Sequence, residues 1–159
     1  MTVTLPTEAQ QFLSFSLPPN IQAMLPTEHL TEILTLAPEQ IVPIAQVAPE
    51  VMGVCNWRGE VLWLVDLAAL IGTEPLINHR HSDLSAIVIQ HQGYALGLVV
   101  EKISEMLRYD PSEIYPVLAT PNNFKLSECI RGCWLSPNGT TLWLLDSHSL
   151  IESFCSNSS

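Results

Sequence analysis

Cations are scarce in this chain. Six lysines and arginines face 16 aspartates and glutamates, leaving a net charge of −10 at pH 7. Nucleic-acid binding draws its affinity from clustered cations that displace counterions, and anionic membrane surfaces ask for similar clusters. Neither partner suits this sequence, which leaves proteins. Long apolar runs are missing too: none approaches the 18 or so residues of a membrane span. The first ten residues, Met1 to Gln10, lack a basic segment followed by an apolar one, so they read as a flexible tail and not as a secretory signal. A soluble, cytoplasmic protein is expected. The four cysteines, Cys55, Cys129, Cys133 and Cys155, show no Cys-x-x-Cys spacing and read as reduced thiols. Zinc at Cys129 and Cys133 would need two more ligands, and His79 and His81 lie in a polar connecting segment, so no metal is expected. Also absent are a G-x-S-x-G elbow, a phosphate-cradling glycine loop and an H-E-x-x-H helix. The expectation is a protein with no catalytic residues and no cofactor.

What the chain does contain is a repeat. Leu62-Trp63-Leu64-Val65-Asp66 recurs as Leu142-Trp143-Leu144-Leu145-Asp146, each followed at the same spacing by Leu-Ile, at 70–71 and 150–151. Upstream, Leu30-Thr31-Glu32-Ile33-Leu34 returns as Ile103-Ser104-Glu105-Met106-Leu107. Pro38, Ile41, Pro43 and Ile44 return as Pro111, Ile114, Pro116 and Val117. The second copy is slightly longer, mostly in the loop-like stretch that holds Pro121, Asn122 and Asn123. So long a period means two homologous subdomains, since solenoid repeats are shorter. The copies run over about 11–72 and 84–155 within a single domain of 11–155, followed by a short tail at 156–159. Duplication also sorts residues: what the fold demands should appear in both copies, and what appears once is a candidate for function.

Within each copy the pattern is mainly β. Gln11 to Leu17 alternates apolar and polar residues, Pro18-Pro19-Asn20 turns it, and Ile21 to Leu25 returns. Thr27 to Leu34 suits either a helical face or a single turn followed by a strand. Hairpins are expected around Arg58-Gly59, Gln92-Gly93 and Pro137-Asn138-Gly139. Asp66 and Asp146 each stand where a strand gives way to a short helix. Their matching positions favour N-capping over paired-acid catalysis. Many short strands with few helices favour paired small barrels over an open sheet with long crossovers. Strands such as Val61 to Val65 are apolar on both faces, which calls for cover outside the barrel, with Trp63 and Trp143 packing where the subdomains meet. His29, His91 and His148 recur in neither copy and read as surface or satisfied core residues.

Single-copy residues gather at the Asn56-Trp57-Arg58-Gly59 tip, where only the glycine has a counterpart in the second copy. Arg58 is one of the six cations, and Trp57 stands beside it. Arginine and tryptophan together are the residue types that protein interfaces concentrate as anchors, although an inward-packed Trp57 with a solvated Arg58 fits equally well.

At this hairpin the sequence resembles a known family. Gly53-Val54-x-Asn56-x-Arg58-Gly59, followed by an apolar strand ending in Asp66-Leu67, is similar to the signature of CheW-like coupling proteins. The likeness extends to Gln11-Phe12-Leu13-x-Phe15, to Gly97-Leu98-Val99-Val100-x-x-Ile103, to Ile130-x-Gly132 and to the strand Leu142 to Asp146. Asn-Trp-Arg-Gly-Glu leading into Leu-Trp-Leu-Val-Asp-Leu further resembles the PixI-type adaptors of cyanobacterial phototaxis and pilus motility. The resemblance implies two five-stranded β-barrels and a non-enzymatic adaptor. Its implied partners are the regulatory domain of a CheA-type histidine kinase and the cytoplasmic tip of a methyl-accepting receptor. It also implies recruitment to membrane arrays through those partners, and a receptor-facing surface at Leu30, Glu32, Gly53, Asn56, Trp57 and Arg58. Trp57, Trp63 and Ala68 depart from the family's usual Leu, Pro and Arg. Two rival readings are a small-ligand sensor holding a molecule between the barrels and an oligonucleotide-binding barrel, the latter opposed by the charge.

Overall fold

The computed structural model describes residues 10–76, 83–115 and 129–157. The expected tails, His79 and His81, and the loop with Pro121 to Asn123 fall wholly or mostly outside them. Ten strands alternate with short turns: β1 Gln10–Leu17, β2 Ile21–Pro26, β3 Leu30–Leu36, β4 Val51–Trp57 and β5 Glu60–Asp66 in the first copy; β6 Leu84–His91, β7 Tyr94–Val100, β8 Lys102–Tyr109, β9 Ile130–Leu135 and β10 Thr141–Leu145 in the second. Helix α1, Leu67–Ile71, follows β5, and α2, Ser147–Asn157, follows β10. The ambiguous stretch after β2 is one 3-10 turn, Thr27–His29, before β3 begins.

The strands form two five-stranded sheets, ordered β8-β1-β2-β10-β9 and β3-β6-β7-β5-β4. The expected strand number holds, and two features correct the barrel picture. First, neither copy builds its own sheet. The β1–β2 hairpin of the first copy sits with β8, β9 and β10, while the β6–β7 hairpin of the second sits with β3, β4 and β5. The halves exchange their leading hairpins, joined by the parallel pairs β2–β10 and β5–β7. A lone hairpin is marginal in water, so each needs the other half's strands to complete a buried face. Second, no backbone ladder closes either sheet among the described residues, leaving β3 and β4, and β8 and β9, as edges.

The larger of two apolar clusters runs through both sheets, from Leu13, Phe15 and Leu25 to Ile87, Leu98 and Val99, with α1 and α2 packed on it through Leu67, Ile71 and Leu150. Phe12, Met24, Leu142 and Leu144 form a smaller one within the β8-β1-β2-β10-β9 sheet. Contact between the sheets runs through β1 with β7 and β6 with β8. Strand β5 lies away from that seam. Its outer face is therefore uncovered, contrary to expectation: Trp63 is 37% exposed and Val61 69%. Trp143, its counterpart, is half-buried against the core.

The caps of α1 form as their sequences predict. The Asp66 carboxylate, 2% exposed, accepts from Ala69 N–H at 3.1 Å and from Leu76 N–H at 2.7 Å, tying the helix start to the chain that leaves it. Gly72 ends α1 at φ 92°. Asp146 begins α2, its backbone oxygen accepting from Leu150 N–H and its carboxylate from the Ser149 hydroxyl.

Gly53 has φ +143°, and a Cβ there would strike the backbone carbonyl of Val42. The close approach lets Val42 and Val54 exchange two backbone hydrogen bonds, at 2.8 and 2.9 Å, which laces the chain after β3 onto the β4 edge. Gly132 plays the same part opposite Tyr115, whose oxygen would lie 2.6 Å from an added Cβ. Gly59, at φ +80°, has nothing within 4 Å of its own would-be Cβ. Gly53→Ala is therefore expected to cost roughly 3 kcal/mol, combining strain with a forced edge displacement. Gly59→Ala should cost about 1 kcal/mol, the αL penalty alone. Urea unfolding of both variants checks the difference, and equal losses would contradict this role for Gly53.

Candidate protein-binding surface

Side chains add a second link between the edge strands that no ladder joins. Glu32 stands on the β3 edge and Trp57 at the end of the β4 edge. The Trp57 indole N–H donates to Glu32 Oε1 at 3.0 Å, and an Arg58 guanidinium nitrogen donates to the same oxygen at 2.9 Å. The guanidinium carbon also lies 4.8 Å from the centre of the Trp57 ring, so the cation rests on an aromatic face. One carboxylate oxygen thus gathers an indole and a guanidinium from the opposite edge of its own sheet. In the other sheet the corresponding link is a stack of Tyr109 of β8 on Trp134 of β9, with centroids 4.0 Å apart.

Local sequence puts the tip in place. Arg58 and Gly59 form a two-residue hairpin turn with φ of 55° and 80°, the positive pair of a type I′ turn, between Trp57 and Glu60. The Asn56 carboxamide oxygen accepts from Gly59 N–H at 3.1 Å and stiffens the turn. Alternation along β4 then points Trp57 inward, where it is 8% exposed. The Arg58 side chain stays 62% exposed and that of Glu32 35%.

Of the six residues singled out from sequence, Glu32, Asn56, Trp57 and Arg58 come together here. Leu30 begins β3 on the same edge, half-buried against the core. Gly53 lies four residues back along β4, about 13 Å away at strand rise, and is buried beneath the Val42 segment. Its counterpart Gly132 marks it as a residue the fold demands, a signal present in the sequence. Trp57 faces inward and reaches the surface only through the carboxylate it shares with Arg58.

Sequence reasoning missed a second cluster. His91 Nε2 and His148 Nδ1 lie 2.5 Å apart, His148 Nε2 is 3.3 Å from Glu152, and the His29 ring centre is 5.5 Å from that of His91. His29 Nδ1 is 3.3 Å from the Ser147 hydroxyl. The three rings come from the β2–β3 turn, the end of β6 and the start of α2, so they pin α2 across the junction of the sheets. Two imidazole nitrogens bound to one tetrahedral ion stand about 3.3 Å apart, which this pair does not allow. No group of three or more ligating residues suits a metal among the described residues. Burial pushes the Cys55 thiol up, as befits a core residue.

These bonds divide stability from display. Trp57→Phe keeps the ring and removes the N–H donor, and is expected to cost about 1 kcal/mol. Arg58→Ala opens an exposed ion pair and should cost under about 0.5 kcal/mol. Thermal unfolding of the two variants tests the split, and a larger loss for Arg58→Ala would reverse the assignment.

Comparison with known proteins agrees with this architecture. The CheW-like domain family matches residues 11–155. The chain is 31% identical over 114 residues to a chemotaxis protein CheW from Rhizobium meliloti (strain 1021), covering 70% of this chain and 69% of that protein. Its fold superposes on the crystal structure of the scaffolding protein TtCheW from Thermoanaerobacter tengcongensis with a TM-score of 0.73, at 18% identity over 86% of this chain and 88% of the other. No helix among the described residues is long and apolar enough to cross a membrane. By its repeated sequence, its two five-stranded sheets and its match along nearly the whole length, the chain belongs to the CheW-like domain family.

Proposed function

We propose that this protein is a non-enzymatic adaptor in a chemotaxis-type signalling pathway. It would couple the cytoplasmic tip of a methyl-accepting receptor to the regulatory domain of a CheA-type histidine kinase. Residues 11–155 act as one domain in this reading, in the cytoplasm and recruited to receptor arrays through its partners. The PixI-like Asn-Trp-Arg-Gly-Glu stretch favours a receptor of a phototaxis or pilus-motility system.

The observation that carries the proposal is Arg58. It is one of few cations on an acidic protein, 62% exposed, yet held by the Glu32 carboxylate and the Trp57 ring. A side chain fixed before binding loses less entropy when a partner arrives. Its small share in stability leaves it free to serve recognition. Leu30, Glu32, Asn56 and Arg58 form the receptor-facing surface in this reading, and Trp57 and Gly53 support it from beneath.

The test is calorimetric titration of the protein against receptor tip and kinase regulatory domain from the same cell. Arg58→Glu reverses the charge and is expected to weaken the receptor complex at least tenfold, as loss of an interface anchor does, while kinase binding stays within about twofold. Equal receptor affinity in parent and variant would remove Arg58 from the interface. Failure of the folded parent to bind either partner would overturn the adaptor reading.

A further inference from the structure

The two sheets follow one plan, and matching them position by position isolates a space that one fills and the other leaves open. Leu62, Trp63 and Leu64 pair with Cys55, Val54 and Gly53, as Leu142, Trp143 and Leu144 pair with Trp134, Cys133 and Gly132. Trp57, which closes its hairpin opposite Glu60, therefore matches Ser136, whose N–H donates to Thr140 O at 2.9 Å. On the facing edge, Leu30 and Ile33 pair with Ile89 and Ile87, as Ile103 and Met106 pair with Phe15 and Leu13. Glu32 therefore matches Glu105. The first sheet places an indole between its edges against a glutamate. The second keeps the glutamate and has a serine in place of the indole.

A cleft of about 1040 Å³ opens there, lined by Glu105, Tyr109, Trp134, Ser136, Asn138 and Trp143 among others. Its lining is mostly polar, with Trp134 and Tyr109 among the serines, threonines and carboxamides, and its one charged group is Glu105. Burial first, then the charges of Glu105 and Glu113, push the Tyr109 hydroxyl up. The Glu105 backbone is pinned on both sides by the buried Ser14 hydroxyl, which donates to its oxygen at 3.0 Å and accepts from its N–H at 3.1 Å. The volume exceeds one side chain and suits the tip of a loop.

We propose that this cleft docks a loop or hairpin of a partner protein that presents an aromatic ring with a cation beside it, Glu105 receiving it as Glu32 receives Trp57 and Arg58. The molecule's own clasp supplies the precedent for the contact. The acidic surface adds long-range attraction for a basic segment, and Trp134, half-buried and stacked on Tyr109, gives the cleft an aromatic wall. This second surface extends the adaptor reading without depending on it.

A cyclic peptide carrying Asn-Trp-Arg-Gly-Glu, the turn that the chain itself uses, serves as probe. It is titrated into the millimolar range against the isotope-labelled full chain and followed by amide chemical shifts. Shifts are expected at 104–109 and 134–143. Glu105→Gln should weaken binding roughly fivefold, in keeping with an exposed charge pair. Ser136→Trp should place an indole beside Glu105, as Trp57 stands beside Glu32, block the site for the probe's ring and abolish the shifts. No shifts with the parent, shifts centred elsewhere, or undiminished binding by Ser136→Trp would each overturn the proposal. If Ser136→Trp does not fold, equal affinity of parent and Glu105→Gln overturns it. The probe is neither receptor nor kinase, so failure of the adaptor reading leaves this result unchanged.

Discussion

The parallel pairs β2–β10 and β5–β7 are where two half-chains become one structure. Each brings a hairpin from one copy against the strands of the other, and each sheet is incomplete without it. The apolar faces of β1, β2, β6 and β7 have no adequate cover inside their own copies. Exchange supplies that cover and threads one core through both sheets. The arrangement also leaves each sheet with two edge strands that no ladder joins, so closure falls to the backbone bridges at Val42 and Tyr115 and to side chains. Glu32 with Trp57 and Arg58 bridges one pair of edges, and Tyr109 on Trp134 bridges the other.

That division suits a scaffold. Stability resides in the buried core and in backbone lacing at Gly53 and Gly132. Side chains at the rims are then free to differ between copies without threatening the fold. The first rim carries an indole and a guanidinium and is clasped. The second has a serine at the matching place and is open. Two related sheets thereby offer two unlike surfaces, one fixed and cationic at its tip, the other concave and acidic. The proposed adaptor would hold two partners at once, and unlike hairpin tips on two related sheets would suit that role.

Much of this was legible in the sequence. The repeat, the hairpins at Arg58-Gly59 and Gln92-Gly93, the caps at Asp66 and Gly72 and the family resemblance rest on local patterns, and local chemistry decides those features. Pairing is another matter. Alternation marks a strand without naming its neighbour, so the exchange of hairpins was not visible, nor was the uncovered face at Val61 and Trp63. Trp57 allowed two readings until the direction of β4 placed it inward. His29, His91 and His148 come from three distant segments, and only the fold brings their rings together. Gly53 was readable as a fold residue through Gly132, because both carry a close backbone crossing.

The most direct measurement is kinase autophosphorylation in a reconstituted system. It would contain receptor-bearing membranes and a CheA-type kinase from the same cell, with and without this protein. The account predicts that the rate follows receptor state only when the protein is present, because nothing else in the mixture bridges the two. A kinase that responds to its receptor equally well without the protein, or that ignores the receptor in its presence, would contradict it.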